Sequence, residues 1–219
     1  MKTATRFLMQ TTRAMLDLLL PASAEVRQLE RADKKDLMTR AKRAVTQLPG
    51  IVSMFDYKDP LVKALVWQIK FKGNRALAHL AAETMYEHLI AELSDLALFY
   101  GNTPVALVPV PLSKGRLEER GFNQTDRLAE ELLRLDGGKH FSISHLVSRI
   151  RETNTQTQTR NRTERLKNLS GAFAVTENVA GKHIIVLDDV ATTGSTIGEI
   201  KKVLREGGAA EVVGFTLAH

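Results

Sequence analysis

Ile184-Ile185-Val186-Leu187-Asp188-Asp189-Val190-Ala191-Thr192-Thr193-Gly194-Ser195-Thr196 is the stretch that decides how this chain is read. Its four leading residues are apolar without alternation, as in a strand of a parallel sheet covered by helices on both faces. Two carboxylates stand at the carboxyl end of that strand, followed by small and hydroxylated residues. Ile197, Ile200, Val203 and Leu204 then recur at helical spacing until Gly207-Gly208. In an open α/β sheet, ligands bind beyond the carboxyl ends of the strands. A helix amino terminus adds unpaired N–H groups and positive partial charge, which suit a phosphate. Gly194 is expected to let the backbone approach an anion closely, and Thr192, Thr193, Ser195 and Thr196 supply hydroxyl donors. A plainer account of the same residues is a capping box of Thr196 with Glu199 beside two solvated aspartates. The segment is not a Walker loop, since it lacks Gly-x-x-x-x-Gly-Lys.

Outward from this motif, strands alternate with helices. Ile51 to Tyr57 reads as a short strand, and Pro60 opens a helix at its first turn. Leu77, Leu80, Ala81, Met85 and Leu89 mark one face of a long helix. Pro104 to Leu112 is an apolar strand that must fray at Pro109 and Pro111, which cannot donate to a ladder. Residues 123–135 form a helix stopped by Gly137-Gly138, and residues 143–150 resemble one strand. Short strands follow at Ala172 to Val175, Ile184 to Leu187 and Val212 to Leu217. The alternation predicts an α/β fold with a mostly parallel sheet flanked by helices. The first fifty residues differ, with a helical pattern ending at Pro21, a charge-rich stretch over 25–47, and a break at Pro49-Gly50. They are taken as a helical N-terminal appendage, 1–50, ahead of the main domain, 51–219.

Composition narrows the chemistry. The 219 residues contain no cysteine, which excludes disulfides, thiol catalysis, iron–sulfur clusters and cysteine-ligated zinc. With 43% hydrophobic and 26% charged residues, the chain can bury a real core. Lysine and arginine exceed aspartate and glutamate by 31 to 25, so a polyanionic partner is expected, either nucleic acid or a phosphorylated small molecule. Aromatics are only 5%, with Trp67 the one tryptophan, which argues against a large stacking platform for single-stranded nucleic acid. The six histidines show no metal spacing. No run reaches the roughly 18–20 apolar residues of a membrane helix, and no signal segment is convincing, so the chain is read as cytoplasmic.

The motif around Asp188 and Asp189 resembles the phosphoribosyl pyrophosphate (PRPP) motif of type I phosphoribosyltransferases. That resemblance implies that Asp188 and Asp189 bind the ribose hydroxyls, while Ala191, Thr192, Thr193, Gly194, Ser195 and Thr196 cradle the 5-phosphate. Carboxylates accept from sugar hydroxyls, and N–H and O–H groups donate to phosphate, so the residue types agree. Further along the chain, Val108-Pro109-Val110-Pro111-Leu112, Arg116 and Arg120-Gly121-Phe122-Asn123-Gln124 resemble the ComF family (ComFC/GntX-like). Phe71-Lys72, Arg149-x-Arg151-x-Thr153-x-x-Gln156, Arg165-x-x-Asn168 and Gly171-Ala172-Phe173 do so too. The family's cysteine-rich zinc module has no counterpart here, so zinc is not expected.

The resemblance further implies Mg2+ brought with PRPP rather than held by protein ligands, and two basic elements that compensate a departing diphosphate. One is the turn Ser113-Lys114-Gly115-Arg116. The other is Arg149 to Asn168, with six basic residues against two acids, among them Arg160, Arg162 and Arg165. The latter stretch is also suited to tracking a nucleic-acid backbone. Arg120 and Asn123 are candidates for the pyrophosphate or the second substrate, and Phe122 is expected in the core. Two functions are implied. One is transfer of phosphoribose to an unidentified acceptor with pyrophosphate release. The other is a non-catalytic PRPP- or single-stranded-DNA-binding factor in natural transformation, with a competence helicase as partner and no membrane association.

Overall fold

The computed structural model describes residues 24–45, 48–100, 105–152 and 169–219. Two short helices, α1 (Ala24–Leu29) and α2 (Lys34–Arg40), lead into strand β1 (Ile51–Phe55). Helix α3 (Pro60–Trp67) starts on the Asp59 cap and runs on as a π-helical turn, Gln68–Lys72, which Gly73 ends. Then follow α4 (Arg75–Tyr100), β2 (Val105–Pro109), α5 (Lys114–Arg120) and α6 (Gln124–Asp136). The chain continues through β3 (Phe141–Ile143), β4 (Val147–Arg149), β5 (Phe173–Val175), β6 (His183–Val190), α7 (Ser195–Glu206) and β7 (Glu211–Ala218).

Five strands form one all-parallel sheet in the order β1-β7-β6-β2-β3. The remaining pair, β4 and β5, is an antiparallel hairpin apart from it. The chain leaves β2 outward through α5 and α6 to β3, and leaves β6 in the opposite direction through α7 to β7. Strands β2 and β6 are neighbours, so their carboxyl ends open a crevice where the strand order reverses.

The absence of alternation in β2 and β6 is explained by two covers. On one face, Leu107, Ile185, Leu187, Phe215 and Leu217 pack under α3, α4 and α6. On the other, Ala106, Val108, Ile184, Val186 and Val212 pack under α7 and the β4–β5 hairpin. Leu29, Leu37 and Ala41 are buried in the first of these cores, with α1 on α3 and α2 on α4. Residues 24–41 therefore share the core of the main domain. No helix among the described residues is long and apolar enough to cross a membrane.

Two local expectations are corrected. Residues 143–150 do not form one strand, because β3 ends at Ile143 and the chain leaves the sheet before β4. The segment 113–116 is not a turn. Ser113 precedes the first residue of α5, which ends at Gly121 in the left-handed region (φ 79°). Pro111 breaks the strand and the residues after Gly115 favour helix, so the chain coils at once.

Candidate functional site: a carboxylate pair in a cationic cleft

Period-2 alternation along β6 sends Asp188 toward the α7 face and Asp189 toward the α3–α4 face. Both are nearly closed off, at 9% and 2% exposure. Each carboxylate accepts one local amide: Asp189 N–H donates to Asp188 Oδ1 at 2.9 Å, and Val190 N–H to Asp189 Oδ1 at 3.0 Å. The other oxygen of Asp189, Oδ2, is buried without a hydrogen bond. The Lys70 ammonium lies 3.3 Å from it, close enough to pair in charge but off the direction of a hydrogen bond. Burial, and then the charge of Asp189, push the Asp188 carboxyl well above the ordinary carboxylate range.

The π-helical turn aims Lys70 into the crevice, although it lies more than a hundred residues from Asp189 in sequence. Nothing in the local pattern around Lys70 could have singled it out. Opposite the carboxylates, Val110, Pro111 and Leu112 form the wall after β2. The Val110 carbonyl is fixed by Asn123 Nδ2 at 3.1 Å and by the Thr125 hydroxyl at 2.8 Å. Asn123 is thus a helix cap and strut, with its Oδ1 accepting from Thr125 N–H. Arg116 and Arg149 bring guanidinium groups to the same cleft, and Gln124 completes that side. Burial, followed by the neighbouring Arg116 charge, makes the Arg149 guanidinium less basic than usual.

The turn Ala191 to Gly194 and the start of α7 form the floor. Thr193 Oγ1 and the Ser195 hydroxyl share a 2.6 Å hydrogen bond, and Gly194 begins the helix without any side-chain cap. The capping-box account fails, since the Glu199 carboxylate instead accepts from Gly171 N–H at 2.8 Å. Gly194 lines the cleft and carries a packing role as well. At φ 71° it needs the left-handed region, and a Cβ there would meet Leu48 and Ile51 side chains at 3.0 Å. Its bare Cα admits these two side chains at the start of the sheet's edge strand. Gly194→Ala is expected to cost about 1–3 kcal/mol, lowering the melting temperature by several degrees. An unchanged melting curve would contradict this packing role.

A chain with acids at the end of a central parallel strand, a hydroxyl-rich turn and a helix start after them now has its comparison. The model of the phosphoribosyl transferase domain matches residues 74–218. This chain belongs to that family. The DNA utilization protein YhgH of Salmonella typhimurium is 36% identical over 162 residues, 74% of this chain and 68% of that protein. Competence protein F of Haemophilus influenzae is 34% identical over 74% of this chain and 69% of its own length. Competence protein ComFC of Bacillus subtilis is 36% identical over 75% and 62% respectively. The hypoxanthine-guanine phosphoribosyl transferase of L. donovani superposes with a TM-score of 0.39 at 17% identity, over 65% of this chain and 68% of that one.

Within this phosphoribosyl transferase domain, Asp188, Asp189 and the turn through Thr196 all line one cleft, together with Arg116. Lys114 and Gly115 are exposed on α5 outside that lining, and Gly115 N–H already donates to Glu152 Oε1 at 2.9 Å. Arg120 donates to Gln124 Oε1 at 2.9 Å and lies over the Phe71 ring at 5.0 Å, so it braces a wall of the cleft. Phe122 is half-buried beneath the Arg127 guanidinium, 3.5 Å from its ring centre, rather than in the core. Arg160, Arg162 and Arg165 lie outside the described residues.

Proposed function

We propose that this phosphoribosyl transferase domain binds PRPP and transfers its phosphoribosyl group to an acceptor, releasing pyrophosphate. The observation that carries the reading is the Asp189 oxygen in the crevice, buried without a hydrogen bond and facing only the Lys70 ammonium at 3.3 Å. A buried acceptor of this kind is costly unless a ligand satisfies it, and a sugar hydroxyl is a fitting donor. The turn at Thr192 to Ser195 then meets the 5-phosphate, with its hydroxyls and the amides at the start of α7 as donors.

The chemistry follows from where charge moves. A nitrogen or oxygen of the acceptor bonds to C1 of the ribose as the bond from C1 to the diphosphate oxygen breaks. Positive charge builds on the ring, where the aspartates are, and negative charge on the departing diphosphate, toward Arg116 and Arg149. Mg2+ fits this arrangement, since substrate oxygens beside a carboxylate pair suit a hard cation, and it would arrive with PRPP rather than on protein ligands of its own. When bound, it supplies charge neutralisation of the diphosphate.

Relatives named for DNA utilization and competence support a role in DNA uptake or use, which we read as cytoplasmic and with a competence helicase as partner. Calorimetry with PRPP and MgCl2 tests the binding, and a pyrophosphate-release assay across bases and amines tests the transfer. Saturable binding of PRPP is expected, as is release with at least one acceptor. Absence of binding overturns the reading, and binding without release across the panel restricts it to a non-catalytic PRPP-binding role.

A further inference from the structure

Behind the turn Ala191 to Gly194 lies a second pocket, of about 490 Å³, between α7 and the chain that enters β1. It shares Thr193, Gly194 and Ser195 with the cleft, so one turn walls both. Its other walls differ in character. Leu48, Pro49 and Ile51 are apolar, whereas Lys201, Lys202 and Arg205 of α7 bring three cations against one acid, Glu206. Those cations are incompletely matched. Lys202 lies 3.9 Å from Glu206 with both groups exposed, a pairing that water screens. Arg205 reaches Glu211 at 3.5 Å and the Val212 carbonyl at 3.4 Å through Nη2 alone. Lys201 is 7% exposed, and among the described residues its ammonium donates only to the Gly50 carbonyl, at 2.7 Å. An ammonium has three donors, and a buried one without a carboxylate partner is costly until an anion joins it. Burial, then the Arg205 charge, make Lys201 less basic than usual.

We infer that this pocket is an effector site for a nucleoside monophosphate, separate from the cleft and acting on it through the shared turn. The excess of cations suits a phosphate monoester, which carries a charge of about −1.5 to −2 at neutral pH. The apolar wall suits a flat base, which orthophosphate and sugar phosphates lack. The volume falls in the range of small-molecule sites, roughly 300–1,000 Å³. Gly198 lines the pocket without a side chain, and a Cβ there would meet nothing within 4 Å. Two anions on opposite sides of one turn repel, and both draw on the Thr193 and Ser195 hydroxyls. The occupant therefore opposes binding of the 5-phosphate. That antagonism rests on the PRPP reading, whereas the pocket itself stands without it.

AMP is the probe, titrated calorimetrically into the full chain. One-to-one binding is expected, and it should persist in Asp188→Asn with Asp189→Asn, which separates the pocket from the cleft. Gly198→Leu fills the pocket from a helix that accepts leucine better than glycine. It is expected to weaken AMP binding by about tenfold or more while the melting temperature holds or rises and PRPP binding stays intact. Lys202→Glu reverses a charge at an exposed position and should weaken AMP binding by about tenfold as well. With AMP saturating, PRPP affinity should fall by about 5-fold or more and then level off. A fall that never levels off would place AMP in the cleft itself and overturn the inference. AMP affinity unchanged in Gly198→Leu, orthophosphate binding as tight as AMP, or PRPP affinity indifferent to AMP would each overturn it too. Should PRPP fail to bind at all, the Gly198→Leu comparison still decides the pocket.

Discussion

Asp188→Asn with Asp189→Asn is expected to weaken PRPP binding by about 100-fold or more, since charge-assisted hydrogen bonds contribute roughly 1.5–3 kcal/mol each. Calorimetry in the presence of MgCl2 measures this, and an affinity within a few-fold of wild type would remove the carboxylates from the site. Asp188→Asn alone carries a second signature. Burial and the Asp189 charge raise the Asp188 carboxyl, so between its ordinary range and its raised value the folded chain holds the proton that the unfolded chain has lost. Stability therefore falls as pH rises through that window and stays at its lower level above it. Asparagine keeps an oxygen for the Asp189 amide and removes the buried charge. The variant is thus expected to melt above wild type at neutral pH, by about 2–4 °C for each kcal/mol relieved, with the difference closing in acid. PRPP affinity of the wild type should rise with pH as Asp188 ionises. A variant that melts lower than wild type at pH 7 would show that the carboxylate pair is not under this tension.

Phe215→Ala is expected to have the largest effect on folding. The ring is fully buried on β7, in register with Leu187, the residue that precedes the carboxylate pair. It packs in the core beneath α3, α4 and α6. Removing a buried phenylalanine ring typically costs about 3–5 kcal/mol, so a fall of about 6–20 °C in melting temperature is expected. The residue is not among those that line the cleft, and PRPP affinity measured well below the melting range should be unchanged. A melting temperature within 2 °C or so of wild type would mean that the core closes over the gap far better than most do.

The part of this molecule that was legible in the sequence is local. Strand β6, its two aspartates and the following helix are contiguous, and the unbroken apolar runs of β2 and β6 announce a sheet covered on both sides. Pro109 marks the end of β2 because a missing N–H is visible in the residue itself. The remainder depends on distance along the chain. Lys70 meets Asp189 only because the π-helical turn and β6 converge on one crevice. Arg149 sits in a hairpin whose strands are separated by more than twenty residues. Asn123 resembled a ligand group because its amide is polar and flanked by Arg120 and Gln124, whereas the structure uses that amide to hold the Val110 carbonyl. At Gly194 the local pattern pointed to close approach of an anion, whereas the packing of Leu48 and Ile51 against it comes from far back in the chain and has no local signal.

That last contact has a mechanical consequence. Leu48 and Ile51 press on Gly194, Gly50 accepts the Lys201 ammonium of α7 at 2.7 Å, and the same carbonyl accepts Gly214 N–H at 3.0 Å. Residues 48–51 thereby anchor the turn between β6 and α7 to the edge strand of the sheet, so one wall of the cleft is held in place from the opposite end of the chain.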